Sequence, residues 1–245
     1  MQQVLTLPPP ALLDDASLFL DFDGTLVDLA PTPDAVTVSD RLSALVARLA
    51  DRLDGRIAIV SGRSIDSIEA LFGAVPFAIS GSHGLELRWP GGDRQMAERP
   101  AALDRIIDEM TRFAHHHPGV LVERKPLGAA LHYRGAPAAQ AASDALAHAL
   151  AQDSDLHVQT GKMMIELRVA GADKGTALDR MMTLAPMAGH RPVFLGDDDT
   201  DEPAMVAAAA HGGCGILVGA PRPSAAAWNL PDVAATLDWL EATAA

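Results

Sequence analysis

The sequence predicts an α/β fold in which a doubly wound parallel sheet is interrupted by a small inserted α+β domain. Short apolar runs of strand length alternate with stretches of helical periodicity towards both ends of the chain. The middle instead pairs strand with strand. Charge divides along the same lines. Residues 100–170 hold 7 Lys+Arg against 8 Asp+Glu, a net of −1, so the rest carries −12 of the total −13. The expected organisation is a core of residues 1–99 and 169–245 with an αββαββ insert at 100–168.

The run Ala16-Ser17-Leu18-Phe19-Leu20 stops at Asp21 and has the apolar continuity of a strand buried on both faces. Leu42, Leu45, Val46 and Leu49 recur at helical spacing within 39–53, with Ser39 or Asp40 as the N-cap. Ile57–Val60 is a second strand, ending at Ser61-Gly62-Arg63, and 65–71 a short helix. Phe77–Ile79 is a third strand. Leu85–Trp89 and Arg94–Met96, joined by Pro90-Gly91-Gly92-Asp93, read as a hairpin. In the insert, helices are expected at 101–116 and 136–151. Strand pairs are expected at 120–122 with 130–133, and at 156–158 with 164–167. The sheet resumes with a helix over 174–184 and a strand over 192–195. A helix over 203–210, a strand over 215–218 and a closing helix over 233–240 follow. In doubly wound sheets ligands sit beyond the carboxyl ends of the strands, which is where Asp21 and Ser61 fall.

Composition excludes several classes. At 245 residues and 49% hydrophobic, the chain buries a sizeable core without staples and is not globally disordered. Cys214 is the one cysteine, so an internal disulfide is impossible and a reducing, cytoplasmic setting is expected. No run approaches the roughly 20 apolar residues of a membrane helix. The opening MQQVLTLPPP lacks the basic and apolar regions of a secretory leader. A surplus of 32 acidic over 19 basic residues argues against nucleic acid as a partner. A small-molecule substrate and a monomer are expected. Only Lys125, Lys162 and Lys174 are lysines among those 19 cations, so each is a candidate for a place that needs a compact ammonium.

Two acidic clusters carry the chemistry. Asp21-Phe22-Asp23-Gly24-Thr25 follows a strand directly, and two carboxylates two residues apart in a tight loop can converge on one point. The first can attack phosphorus without prior deprotonation, and the second can give and take a proton. An N-cap or an Asp-Gly turn has the same local signature. Gly196-Asp197-Asp198-Asp199-Thr200-Asp201-Glu202 crowds five acids after another strand, and a hard cation with oxygen ligands, Mg²⁺ above all, relieves their repulsion. An acidic first turn facing the helix dipole is the alternative, and it is the reading favoured for Asp199 and Glu202. Lys174 opens a helix, where the dipole disfavours a cation unless an anion is served. Ser61-Gly62-Arg63 offers a hydroxyl, amide groups and a guanidinium to a phosphate.

In this order the four pieces resemble the phosphatases of the haloacid dehalogenase superfamily, with DFDGT first, Ser61 second, Lys174 third and GDDDTDE fourth. The resemblance implies a Rossmann-like core, Mg²⁺ and an aspartyl-phosphate intermediate. It makes Asp21 the nucleophile and Asp23 the general acid/base. Asp21, the backbone carbonyl of Asp23, and Asp197 become metal ligands, with Asp198 and Asp201 as supporting acids. Ser61 and Lys174 hold the transferring phosphoryl group.

The insert occupies the position of that superfamily's α/β cap. Gly81-Ser82-His83-Gly84-Leu85-Glu86, Glu123-Arg124-Lys125 with His132-Tyr133-Arg134, and Gly161-Lys162 with Glu166 resemble the trehalose-6-phosphate phosphatase family. By that resemblance Glu123, Lys125 and Glu166 bind the disaccharide of trehalose 6-phosphate; Arg63 and His83 are further candidates for the substrate cleft. The cap is then expected to close over the sugar and exclude water. Read by period alone, Glu123, Lys125 and Glu166 equally suit a solvated strand face. The alternative within the same chemistry is another sugar phosphate, such as sucrose phosphate or a mannosyl-glycerate phosphate; a catalytically silent sugar-phosphate-binding regulatory domain is the rival of another class.

Overall fold

The computed structural model describes residues 6–244 except 31, 33, 34, 74 and 93. The first residues of the opening segment and Asp93 of the expected hairpin turn therefore lie outside the described residues. By contact density the chain forms two units, one of Met1–Met96 with Ala172–Ala245 and one of Ala97–Gly171.

The first unit is a mixed eight-stranded sheet. Its strands are β1 (Ala16–Leu20), β2 (Ile57–Val60), β3 (Ala78–Gly81), β4 (Glu86–Arg88), β5 (Arg94–Met96), β10 (Arg191–Gly196), β11 (Cys214–Val218) and β12 (Trp228–Leu230). They run in the order β12-β11-β10-β1-β2-β3-β4-β5. The first six are parallel, and β4 and β5 turn antiparallel at the edge. Alternation along β1 feeds two cores. Leu18 and Leu20 pack with Leu42, Leu45, Val46 and Leu49 of α1 (Asp40–Arg52) and with Trp239 and Leu240 of α7 (Val233–Thr243). Phe19 points the other way, into a cluster with Leu178 and Met181 of α5 (Lys174–Met182) and Met205 of α6 (Glu202–Ala210). Each such buried side chain is worth about 1.5–3 kcal/mol, and helices on both faces make the sheet doubly wound. Ser39 caps α1 by accepting from the Leu42 amide at 3.2 Å. Asp173 caps α5 reciprocally with Thr176.

The second unit is an antiparallel sheet in the order β6-β7-β9-β8. These strands are β6 (Leu121–Lys125), β7 (Gly128–His132), β8 (Leu156–Gly161) and β9 (Met164–Val169). Ala129, Leu131, Ile165 and Leu167 share a buried cluster with Leu103, Ile106 and Met110 of α3 (Leu103–His116) and Ala147 and Leu150 of α4 (Gln140–Gln152). The opposite face carries the residues of the other parity. Helix α4 starts later than its Ala-rich periodicity suggests, because Pro137–Ala139 forms a 3₁₀ turn first.

Candidate active site

Register builds the site. Strands β1 and β10 are parallel neighbours with Leu20 opposite Leu195, and β2 flanks β1 with Ile59 opposite Leu20. The residues just beyond these carboxyl ends, Asp197, Asp21 and Ser61, therefore emerge side by side, with strands about 4.8 Å apart. The Asp21 amide donates to the Leu195 carbonyl at 2.9 Å, extending the ladder one residue into the loop.

Asp21 is buried and is held from two sides. Thr25 Oγ1 donates to its Oδ2 at 3.2 Å, and Lys174 Nζ donates to its Oδ1 at 2.6 Å. The same ammonium donates to Asp201 Oδ1 at 2.6 Å. The other oxygen of Asp201 accepts from the Asp197 and Asp198 amides at 3.0 and 2.9 Å. Asp201 is thus a strut that shapes the 197–198 loop, and Asp198 in turn accepts from the Asp199 amide at 2.7 Å. Burial and the nearby Asp201 carboxylate push the Asp21 carboxyl well above its ordinary range, against the pull of Lys174. Burial alone would lower the Lys174 ammonium, but Asp201 and Asp21 outweigh it and keep it a cation.

Carboxylate oxygens of Asp21, Asp197 and Asp201 all lie within 4.8 Å of one another. Three hard anionic donors around one ammonium leave uncompensated negative charge, which fits a divalent hard cation better than a soft one. Gly24 makes the approach possible. Its φ is +88°, and a Cβ there would overlap the Asp197 carboxylate. Gly24→Ala is expected to cost about 1–3 kcal/mol of stability through its backbone conformation alone. It should also weaken the divalent-ion dependence of the melting temperature, checked by thermal melts with and without Mg²⁺.

Asp23 and Arg63 form a bidentate pair, with Nε to Oδ2 at 2.7 Å and Nη2 to Oδ1 at 2.8 Å. The guanidinium carbon also lies 5.6 Å from the Phe22 ring centroid. Arg63 was expected to face a substrate anion, and here it meets the acid/base candidate. The Ser61 hydroxyl is buried and accepts from the Arg63 amide at 3.1 Å, while the Ser61 carbonyl accepts from the His83 amide at 3.0 Å. Asp199 is exposed. Glu202 opens α6 and accepts from Arg222 Nη1 at 2.6 Å and from the Ala225 amide at 2.8 Å, so it braces a loop.

A second polar group sits on one face of the four-stranded sheet. Glu123 pairs with Ala130, and Ala130 with Glu166, so all three share that face. The small Ala130 leaves room for Lys125 Nζ to reach Glu166 Oε2 at 2.8 Å and to approach Glu123 Oε2 at 3.9 Å. Glu166 is only 2% exposed and Lys125 9%, which overturns the solvated-face alternative for these two. His132 Nε2 lies 2.8 Å from Glu123 Oε2. Burial raises the Glu123 carboxyl, yet the His132 hydrogen bond and the Lys125 charge together bring it below its ordinary value, so it is a carboxylate at neutral pH. Sequence reasoning missed the roles of Thr25, His132 and Glu86. All three lie inside the strings it singled out, and a Glu between Leu85 and Leu87 was the signal for the last.

A family model described as trehalose-phosphatase matches residues 19–234. The probable trehalose-phosphate phosphatase of Sinorhizobium fredii is 41% identical over 217 residues, spanning 88% of this chain and 82% of that relative. The trehalose-6-phosphate phosphatase of Escherichia coli is 36% identical over 234 residues, spanning 95% and 88%. The C-terminal domain of the Candida albicans trehalose-6-phosphate phosphatase superposes with a TM-score of 0.85 at 23% identity, over 98% of this chain and 99% of that one, a likeness of fold. Among the described residues no helix is long and apolar enough to cross a membrane.

Proposed function

Because the chain belongs to the trehalose-phosphatase family, and is therefore a phosphatase, we propose that it hydrolyses trehalose 6-phosphate to trehalose and phosphate, carrying the phosphoryl group on Asp21 in between. The observation that carries this reading is the buried Asp21 carboxylate, oriented by Thr25 and Lys174 amid acidic oxygens suited to a divalent cation. Asp21 attacks phosphorus, the bond from phosphorus to the sugar oxygen breaks, and Asp23 gives its proton to the departing oxygen. Water then attacks phosphorus, Asp23 takes a proton, and phosphate leaves with the Asp21 carboxylate restored. To transfer a proton Asp23 gives up one of its two bonds to Arg63.

Asp21, Asp197 and the backbone carbonyl of Asp23 would hold Mg²⁺, which when bound supplies Lewis-acid stabilisation of phosphoryl charge. Lys174 and Ser61 share the electrostatic task, and Asp198 and Asp201 keep the 197–198 loop in shape. Arg63 and His83 serve as substrate-site residues. Residues 100–168 form the specificity cap. There Glu123, Lys125 and Glu166 read sugar hydroxyls as both donors and acceptors, a combination a sugar needs and a plain apolar pocket lacks. The presence of Asp21, Asp23 and Lys174 together favours this over a silent regulatory domain. The single cysteine and the acidic balance support a cytoplasmic setting, and a monomer is the simplest assembly.

The test is phosphate release from trehalose 6-phosphate, sucrose 6-phosphate and mannosyl-glycerate phosphate, each with Mg²⁺ and with a chelator. Trehalose 6-phosphate should lead by at least about tenfold in kcat/KM, with activity lost on chelation. Equal rates across the panel would reject the narrow substrate. Glu166→Ala should lower kcat/KM for the disaccharide phosphate by about 10–100-fold while affecting p-nitrophenyl phosphate less. An unimpaired Glu166→Ala enzyme would remove the cap residues from recognition.

A further inference from the structure

One buried carboxylate next to the site takes no part in the chemistry above. Glu86 opens β4 between Leu85 and Leu87 and is buried. Its Oε1 accepts from Ser82 Oγ in a short hydrogen bond, and its Oε2 accepts from the Ile65 amide at 3.4 Å. Ile65 is the first residue of α2 (Ile65–Phe72), which follows directly on Ser61-Gly62-Arg63-Ser64. Glu86 therefore ties the turn after β3 to the loop after β2.

That turn is unusual in its backbone. Ser82, His83 and Gly84 are all left-handed, with φ of +48°, +55° and +99°. Two of the three are not glycine, so the conformation is disfavoured and persists only where surrounding bonds over-determine it. The bonds are present: the Ser82 amide donates to the Arg63 carbonyl at 2.8 Å and the His83 amide to the Ser61 carbonyl at 3.0 Å. The consequence is a placement. The His83 ring lies so close over Gly62 that a Cβ on Gly62 would sit 2.6 Å from His83 Nε2. An imidazole is thereby seated on the loop that carries Ser61 and Arg63.

We propose that Glu86 is a positioning residue of the phosphatase, acting through the left-handed Ser82–Gly84 turn to hold the His83 imidazole on the Ser61-Gly62-Arg63 loop. This rests on the reading of that loop as the holder of the substrate phosphate. A carboxylate suits the task because its two oxygens can accept from two different loops at once, whereas an amide side chain offers one acceptor oxygen.

The experiment is a double-mutant cycle on the full chain, read as kcat and KM for trehalose 6-phosphate and as thermal melting. His83→Asn removes the imidazole but tolerates the left-handed backbone. It should keep the native melting temperature and lower kcat/KM about tenfold or more. Glu86→Ala and Ser82→Ala should each lower kcat/KM towards the His83→Asn level. Either one combined with His83→Asn should add no further loss, since contacting residues acting on one element are non-additive. Glu86→Gln, which keeps one acceptor, should recover part of the Glu86→Ala loss. If Glu86→Ala does not fold, the Ser82→Ala arm carries the cycle. Additive losses would overturn the inference, and so would native kcat/KM in folded Glu86→Ala, Ser82→Ala or His83→Asn. Failure of the parent chain to release phosphate would instead sink the functional reading beneath it, so the two failures are distinct.

Discussion

Asp21→Asn is expected to release phosphate from trehalose 6-phosphate at least about 10⁴-fold more slowly than the parent chain while folding normally. The argument for the rate is chemical. An amide oxygen is a poor nucleophile towards phosphorus, and Asn cannot form the phosphoryl ester that the proposed sequence requires. The argument for the fold is local. Asn is isosteric, its oxygen can still accept from Lys174 Nζ, and its lack of charge removes a buried repulsion with Asp201. The melting temperature without metal should therefore match or exceed that of the parent. The stabilisation that Mg²⁺ gives the parent should shrink, because one of the three carboxylates around the site has lost its charge. Single-turnover phosphate release and paired melts check both halves. A variant that retained activity would strip Asp21 of its role, and one that failed to fold would show that the carboxylate serves the core.

Legibility differed between the two units for a physical reason. Strands of the parallel sheet are covered on both faces, so Ala16–Leu20 and Ile57–Val60 appear as unbroken apolar runs and their ends mark the site. The acids of both clusters could be placed beyond strand ends for the same reason. The four-stranded sheet has one apolar and one polar face, and period alone does not say whether the polar face meets water. Glu166 between Ile165 and Leu167 is equally compatible with solvent by period; in the structure it is buried and bonded to Lys125 of β6, far away in sequence. Strand β12 escaped notice because the three residues Trp228-Asn229-Leu230 are too few for their alternation to stand out, and they become a strand by pairing with β11. The bond partners of Asp23 and of Glu86 were not legible, even though a Glu between two leucines marked Glu86 itself, since each bond depends on loops from different strands arriving together. Motif spacing names the residues at a site, but not which of them are bonded to one another.

Lys174→Met should be the most destabilising single change at the site, by about 3–5 kcal/mol at pH 8 without metal, with activity lost as well. Lys174 Nζ lies 2.6 Å from an oxygen of Asp21 and 2.6 Å from an oxygen of Asp201, and all three groups are buried. Taking away the ammonium leaves two carboxylates facing each other with their shared counter-charge gone. The sign of the pH dependence follows. In the parent, the two acids outweigh burial and hold the Lys174 ammonium above its ordinary value, so its contribution is fully present below a pH of about 10.4 and lost only above it. In the parent, burial and Asp201 already push the Asp21 carboxyl up against the pull of Lys174; in the variant that pull is gone, so the push grows and the folded state takes up its proton at a higher pH than the parent does. Stability of Lys174→Met must then rise as pH falls, and its gap from the parent must narrow between pH 8 and pH 5.5. A divalent ion should narrow the gap in the same way, by neutralising the same oxygens. Lys174→Arg is not a rescue, because a planar guanidinium cannot occupy the place of a compact ammonium between two carboxylates. Urea unfolding at both pH values, with and without Mg²⁺, measures all of this. A loss below about 1 kcal/mol that stayed constant with pH would mean that the two acids are solvated surface groups, whose ion pairs contribute little, and that no charged pocket has formed around Asp21.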